Sequence, residues 1–391
     1  MRIPFLTHAA CALLCLCTLC AAAPAAAAPE SIEIAGETVS LDATVLTLGF
    51  AGIPDLAPLT RLTQLEELML IYSELGDLSP LGELPNLHSL MIVGCTLSDP
   101  DSVTACAAVD LLTLANCGLT RLPPMAGFRR LTTLNIERNP IDSLSPLSDL
   151  PHLTALYAKG CSIQDLDALQ ALSGLEALDL SQNQLADLEP LRELTALREL
   201  DLSDNLLEDL DPLSAMTGLT FLRLSDNQIA DTAPLRGMTS LTELWLCGNR
   251  IQEISPLSVL AKLTRLYLHE NRIADAHPLV DLSALEELHL QDNVMEEVPD
   301  LAALSKLTLL NLSGNRISDV SPLSSLPSLA LLTLADNQIR DITPLAGIET
   351  LEYLELMGNG ELDLAQVEWL RQHLPGCTIT LTDEDEHEHG C

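Results

Sequence analysis

The chain has 391 residues, 47 % of them hydrophobic but only 3 % aromatic, and a net charge of −37. Aliphatic side chains must therefore build the core, along a chain longer than one compact core usually holds. So acidic a chain excludes nucleic acid held through clustered Lys and Arg and disfavours anionic membrane surfaces. It favours partners that are basic, or at least not acidic.

Residues 1–27 read as a secretory signal: Arg2, an apolar run over 9–22, then an alanine-rich cleavage zone near Ala27. Leu precedes Cys15, Cys17 and Cys20, where a lipid-attachment site needs a small residue. The run is too short for a spanning helix, and no second one follows, so no membrane insertion is expected after cleavage. Of the eleven cysteines seven lie beyond the signal, and an odd number argues against a complete disulfide framework.

Residues 28–42 alternate apolar and polar around Gly36-Glu37, which predicts a β-hairpin cap. From 43 to 362 the chain repeats. The motif L-x-x-L-x-L-x-x-N starts at Leu65 and recurs every 22 residues through Leu351, fourteen copies without insertion, and a degenerate copy starts at Ala43. The L-x-L segment has the period of a strand, too short to stand alone, so it must pair with its equivalent in the next repeat. The second half of each unit carries Pro before a conserved-pattern Leu, as in "NRISDVSPLSSL" (315–326). Proline forbids a regular helix interior, so this half should be extended or 3₁₀-like. With about six aliphatic side chains buried per repeat, only a stack is stable. The predicted fold is thus an α/β-type solenoid: an arc with a parallel sheet on its concave face and extended or 3₁₀ segments on its convex face.

The Asn closing each motif should point inward, where its amide satisfies backbone groups of the turn. An Asp column, Asp77 to Asp341, precedes the P-L segments. Each Asp is expected to cap its own turn, a cation-binding edge being the alternative. Residues 363–381 read as a short helix ended by Pro375-Gly376 and then a strand. Val367, Leu370 and Leu374 are expected on one helix face, with Trp369 packed beside them. The charged tail 382–391 is expected to be disordered. Its His387, His389 and Cys391 are zinc or nickel ligand types, but no metal site is assigned there.

This pattern resembles bacterial leucine-rich repeat proteins of the 22-residue, internalin type, and the leucine-rich regulatory subunit of protein phosphatase 1, over about residues 43–359. That family tolerates Cys at the Asn position, which implies that Cys95, Cys117 and Cys161 are structural thiols. Cys106 falls on a leucine position and should be core. The resemblance implies a helical N-terminal cap, from which the predicted hairpin departs. Adhesive internalins carry further domains after the repeats, and none follows here, which weakens a carry-over of host-cell adhesion.

No nucleophile elbow, zinc-protease motif or phosphate-binding glycine loop is present, so the expectation is a non-catalytic protein with no cofactor. The concave sheet is the candidate site. Repeat positions 3, 5 and 7 point outward, and the leucine core does not need aromatics there. Phe221, Trp245 and Tyr267 nevertheless occupy them, with Arg223, Arg265, His269 and His289 around them. These seven residues read as an aromatic and basic patch that binds a protein or peptide. The competing reading is that cross-strand neighbours merely stack and stabilise the sheet. Cys247 and His269, at the same position of adjacent repeats, would otherwise be an ordinary polar surface or a shared metal site. Other functions weighed are a scaffold that clamps an enzyme and a structural envelope protein. Oligomeric state is not legible.

Overall fold

A computed structural model describes residues 30–381 apart from 51, 142 and 361; the stretch 1–27 read as a secretory signal and the tail 382–391, expected to be disordered, lie outside the described residues. Sixteen strands form one parallel sheet, ordered along the chain from Val45–Gly49 to Thr378–Thr380. Register is set by the period: Leu200 faces Leu222, which faces Leu244, which faces Leu266. A shift by one residue would expose every one of these leucines, all fully buried. A small three-stranded sheet, Gly52–Ile53, Glu74–Leu75 and Thr96–Leu97, accompanies the first repeats.

The return segments are short 3₁₀ turns such as Ser255–Val259 and Thr343–Gly347, with Pro in their first residues, where an N–H has no partner anyway. The Asp column caps them: Asp231 Oδ1 accepts from the Ala233 N–H at 2.8 Å, and Asp187, Asp209, Asp275 and Asp319 do the same two residues on. Hydrogen bonds from the Ser79 backbone and hydroxyl hold the Asp77 carboxyl below its ordinary range. Those oxygens are committed to their own turns.

Inside the arc the asparagines form a ladder. Asn139 Nδ2 donates to the Leu114, Ile136 and Glu137 carbonyls, and its Oδ1 accepts from the N–H groups of Cys117 and Leu119. Cys161 at the same position offers one Sγ, which lies 3.1 Å from the Ile136 carbonyl. Cys95 and Cys161 are buried and Cys117 partly so; none is in a disulfide among the described residues. Burial pushes the Cys106 thiol up to about 12, in keeping with its core position.

The residue after each strand's last outward position is left-handed in all fifteen repeats, at Phe50 (φ 57°), Tyr72 (45°) and Gly94 (65°) through Gly358 (71°). Glycine, aspartate and asparagine fill most of these places because they tolerate that conformation best.

At the N-terminal end Ser31–Ile34 and Glu37–Ser40 pair antiparallel as a hairpin, with Ile32, Ile34 and Val39 buried. At the other end the helix Leu364–His373 buries Val367 and Leu370, with Asp363 as its N-cap. Trp369 corrects the expectation: it lies off this face, 36 % exposed, and packs at a tilt against His373, ring centroids 3.9 Å apart. Two residues from Val367 along a helix is about 200°, which turns the indole away from the core. No helix among the described residues is long and apolar enough to cross a membrane.

Candidate protein-binding site on the concave sheet

Position 5 of consecutive repeats brings Asp179, Asp201, Arg223, Trp245, Tyr267 and His289 into one column, each the register partner of the next. Adjacent strands lie about 4.8 Å apart, close enough for rings to stack. Trp245 and Tyr267 do so with centroids 3.7 Å apart, and Tyr267 and His289 follow at 4.6 Å. The Arg223 guanidinium continues the stack, 4.6 Å from the Trp245 ring and 4.7 Å from Phe221. His269 meets His289 edge-on at 6.4 Å. All seven candidate residues are thus in one patch.

Two features differ from the expectation. The rings are half-buried rather than exposed, because each covers its neighbour's face and leaves mainly ring edges outward. Nor is the patch basic. Arg265 bridges Glu243 and Glu287, at 3.2 Å to each, and Arg223 lies 3.7 Å from Asp201. Burial lowers the affinity of His269 and His289 for protons, so both are neutral at pH 7. The physical reason is cross-strand pairing within each column: Arg265 sits between its register partners Glu243 and Glu287, and Arg223 beside its register partner Asp201, so each guanidinium is balanced by a carboxylate one repeat away.

Those glutamates also fix the rings. Trp245 Nε1 donates to Glu243 Oε1 at 2.7 Å, and the Tyr267 hydroxyl donates to Glu287 Oε2 at 2.9 Å. Burial and then the Glu287 bond push the Tyr267 phenol well above its ordinary range, so it remains a donor. Cys247 turns to Ser225, its Sγ 2.9 Å from the hydroxyl, and not to His269. Among the described residues no three His, Cys, Asp or Glu gather as metal ligands would.

Beyond Arg223 the column becomes acidic. Asp179 and Asp201 are buried side by side, and Asp179 accepts from the backbone and hydroxyl of Ser181. Burial, then the neighbouring Asp201, push the Asp179 carboxyl up to about 6. These carboxylates were legible as position-5 residues, but their burial was not.

The leucine-rich repeat family model, a two-copy unit, matches overlapping stretches from 151–193 to 239–281, then 283–325 and 305–347, half of the chain. The chain belongs to the leucine-rich repeat family. Its repeats are internalin-like. The structure is similar to that of the internalin InlF from Listeria monocytogenes, with 28 % identity, TM-score 0.66, and coverage of 82 % of this chain and 89 % of that one. It shares its fold with a leucine-rich repeat protein of Leptospira interrogans, at 24 % identity and TM-score 0.69, over 83 % of this chain and 92 % of that one. The plant peptide hormone receptor RGFR1, solved in complex with RGF2, shares the fold as well. There the identity is 20 % and the TM-score 0.58, over 84 % of this chain and 64 % of the receptor. No curated protein matches the sequence.

Proposed function

We propose that this leucine-rich repeat protein is exported and binds a protein or peptide partner on its concave face, without catalysis or cofactor. The observation that carries the reading is the unbroken stack Arg223–Trp245–Tyr267–His289 across four adjacent strands. The core does not need these rings, since leucines at the alternate positions already fill it. Side chains held in place before binding lose little freedom on association, and Trp, Tyr and Arg carry most interface energy. With ring faces occupied, the surface offers ring edges, the carboxylates of Glu243 and Glu287 and the Arg265 guanidinium. That is suited to the mixed polar and apolar surface of a protein, and the overall charge speaks against nucleic acid. Export rests on the reading of residues 1–27.

The test immobilises residues 28–381 and captures partners from extracellular and envelope fractions, with Trp245→Ala/Tyr267→Ala as matched control. Capture by the parent and a loss of at least tenfold in the variant, with circular dichroism unchanged, is the expected result. The same stack also supports a second reading, in which the rings only stabilise the sheet. In that case the variant melts earlier but captures the partner as well as the parent does, and the assignment of the patch falls.

A further inference from the structure

The large sheet ends differently at its two edges. At the C-terminal edge Arg371 reaches from the helix and donates to the Ile379 carbonyl at 3.1 Å, and Thr380 is buried beside Tyr353. At the N-terminal edge the sheet stops at Val45–Gly49, and no strand pairs with its outer side among the described residues. Thr44 accepts from Glu67, and Phe50 donates to Ile71. In that parallel register the backbone groups of Leu46 and Leu48 face the neighbouring strand, and those of Val45, Thr47 and Gly49 face out. The hairpin closes the core nearby but forms a sheet of its own. The edge sequence "VLTLG" has no Lys, no Pro and no charge, the devices by which edges are usually protected.

Two of the three outward columns beside this edge become apolar on the next two strands: Thr47 pairs with Met69 and then Met91, and Gly49 with Ile71 and then Val93, while Val45, 60 % exposed, pairs with Glu67. Where the edge strand ends, Phe50, 77 % exposed, stacks on Tyr72, 52 % exposed, at 5.5 Å. Both are left-handed, a strained place for a bulky ring, and no burial offsets it. The Tyr72 ring lies over Gly94, where a Cβ would come within 2.6 Å of it.

We propose that Val45–Gly49 is a strand-addition site for an extended segment of a partner protein, with apolar residues at alternate positions and basic flanks. The outward N–H and C=O groups match a strand backbone and no other ligand form. Alternation follows because one side of the added strand lies beside the exposed Val45 and extends the columns that run through Met69 and Met91 and through Ile71 and Val93. Basic flanks follow from the exposed Glu66 and Glu74 and the half-exposed Glu67 beside this edge, and from the charge of −37. That same charge opposes edge-to-edge pairing of two copies. The site is separate from the aromatic stack.

The probe is a fluorescent peptide of alternating valine and threonine between lysine pairs, titrated by anisotropy. Val45→Lys places a charge on the edge and keeps its backbone; Thr47→Pro removes one outward N–H, and proline is tolerated on edge strands. Each variant, with circular dichroism unchanged, is expected to weaken binding at least tenfold, and Trp245→Ala/Tyr267→Ala to leave it unchanged. Exchange of the lysines for glutamates should abolish binding. Failure of the parent to bind, equal binding by the edge variants, or equal binding of the acidic peptide overturns the proposal. So does a parent dimer in sedimentation that Val45→Lys converts to monomer, which would make the occupant a second copy.

Discussion

Replacement of Asn139 by alanine is expected to destabilise the solenoid by about 3–5 kcal/mol, the sum of several buried groups left without partners at roughly 1–3 kcal/mol each. The side chain is fully buried and bonds to three carbonyls and two N–H groups across two repeats. The site has no solvent exposure, so bulk water does not reach the groups left behind. Cys161→Ala is the matched comparison. It removes one sulfur whose nearest carbonyl is at 3.1 Å, and about 1 kcal/mol is expected. Urea midpoints for both variants decide the matter. If they shift equally, the asparagine ladder is not what ties neighbouring repeats together.

A second large effect concerns pH. The folded Asp179 carboxyl holds its proton up to about pH 6, first because it is buried and then because Asp201 lies beside it. Unfolded, it would release the proton near 3.9. Between those values the folded state binds more protons, so stability falls as pH rises from about 4 to 6. The contribution is full below the unfolded value and lost above the folded one. Two pH units correspond to about 3 kcal/mol. Asp179→Asn keeps an acceptor for the Ser181 N–H and hydroxyl but carries no charge. Its urea midpoint should exceed the parent's at pH 7.5 and match it at pH 4. A gap that is the same at both pH values would show that ionisation of Asp179 is not the cause.

Much of the architecture was legible because a 22-residue period without insertions leaves one register. Once Leu222 pairs with Leu244, every other position follows, including the inward asparagines and the capping aspartates. The seven candidate residues were legible for the same reason: outward positions in adjacent repeats must be neighbours. Their electrostatic character was not. The charge of Arg265 is balanced by Glu243 and Glu287 on the two adjacent strands, and the rings are hidden by one another. Trp369 was misplaced because the short helix has no repeat to fix its facing, only its contact with the last turn of the solenoid.

By itself, then, the sequence determined the repeat, its strand-and-turn alternation and which side chains share a face, since these depend only on spacing along the chain. Tertiary structure alone decided how charged and aromatic groups from separate repeats neutralise or cover one another, that Asp179 is buried, and that one sheet edge is capped by Arg371 while Val45–Gly49 stays open. Those outcomes turn on distances of a few ångströms between residues 22 or more positions apart, and on what packs at the two ends, where the period stops.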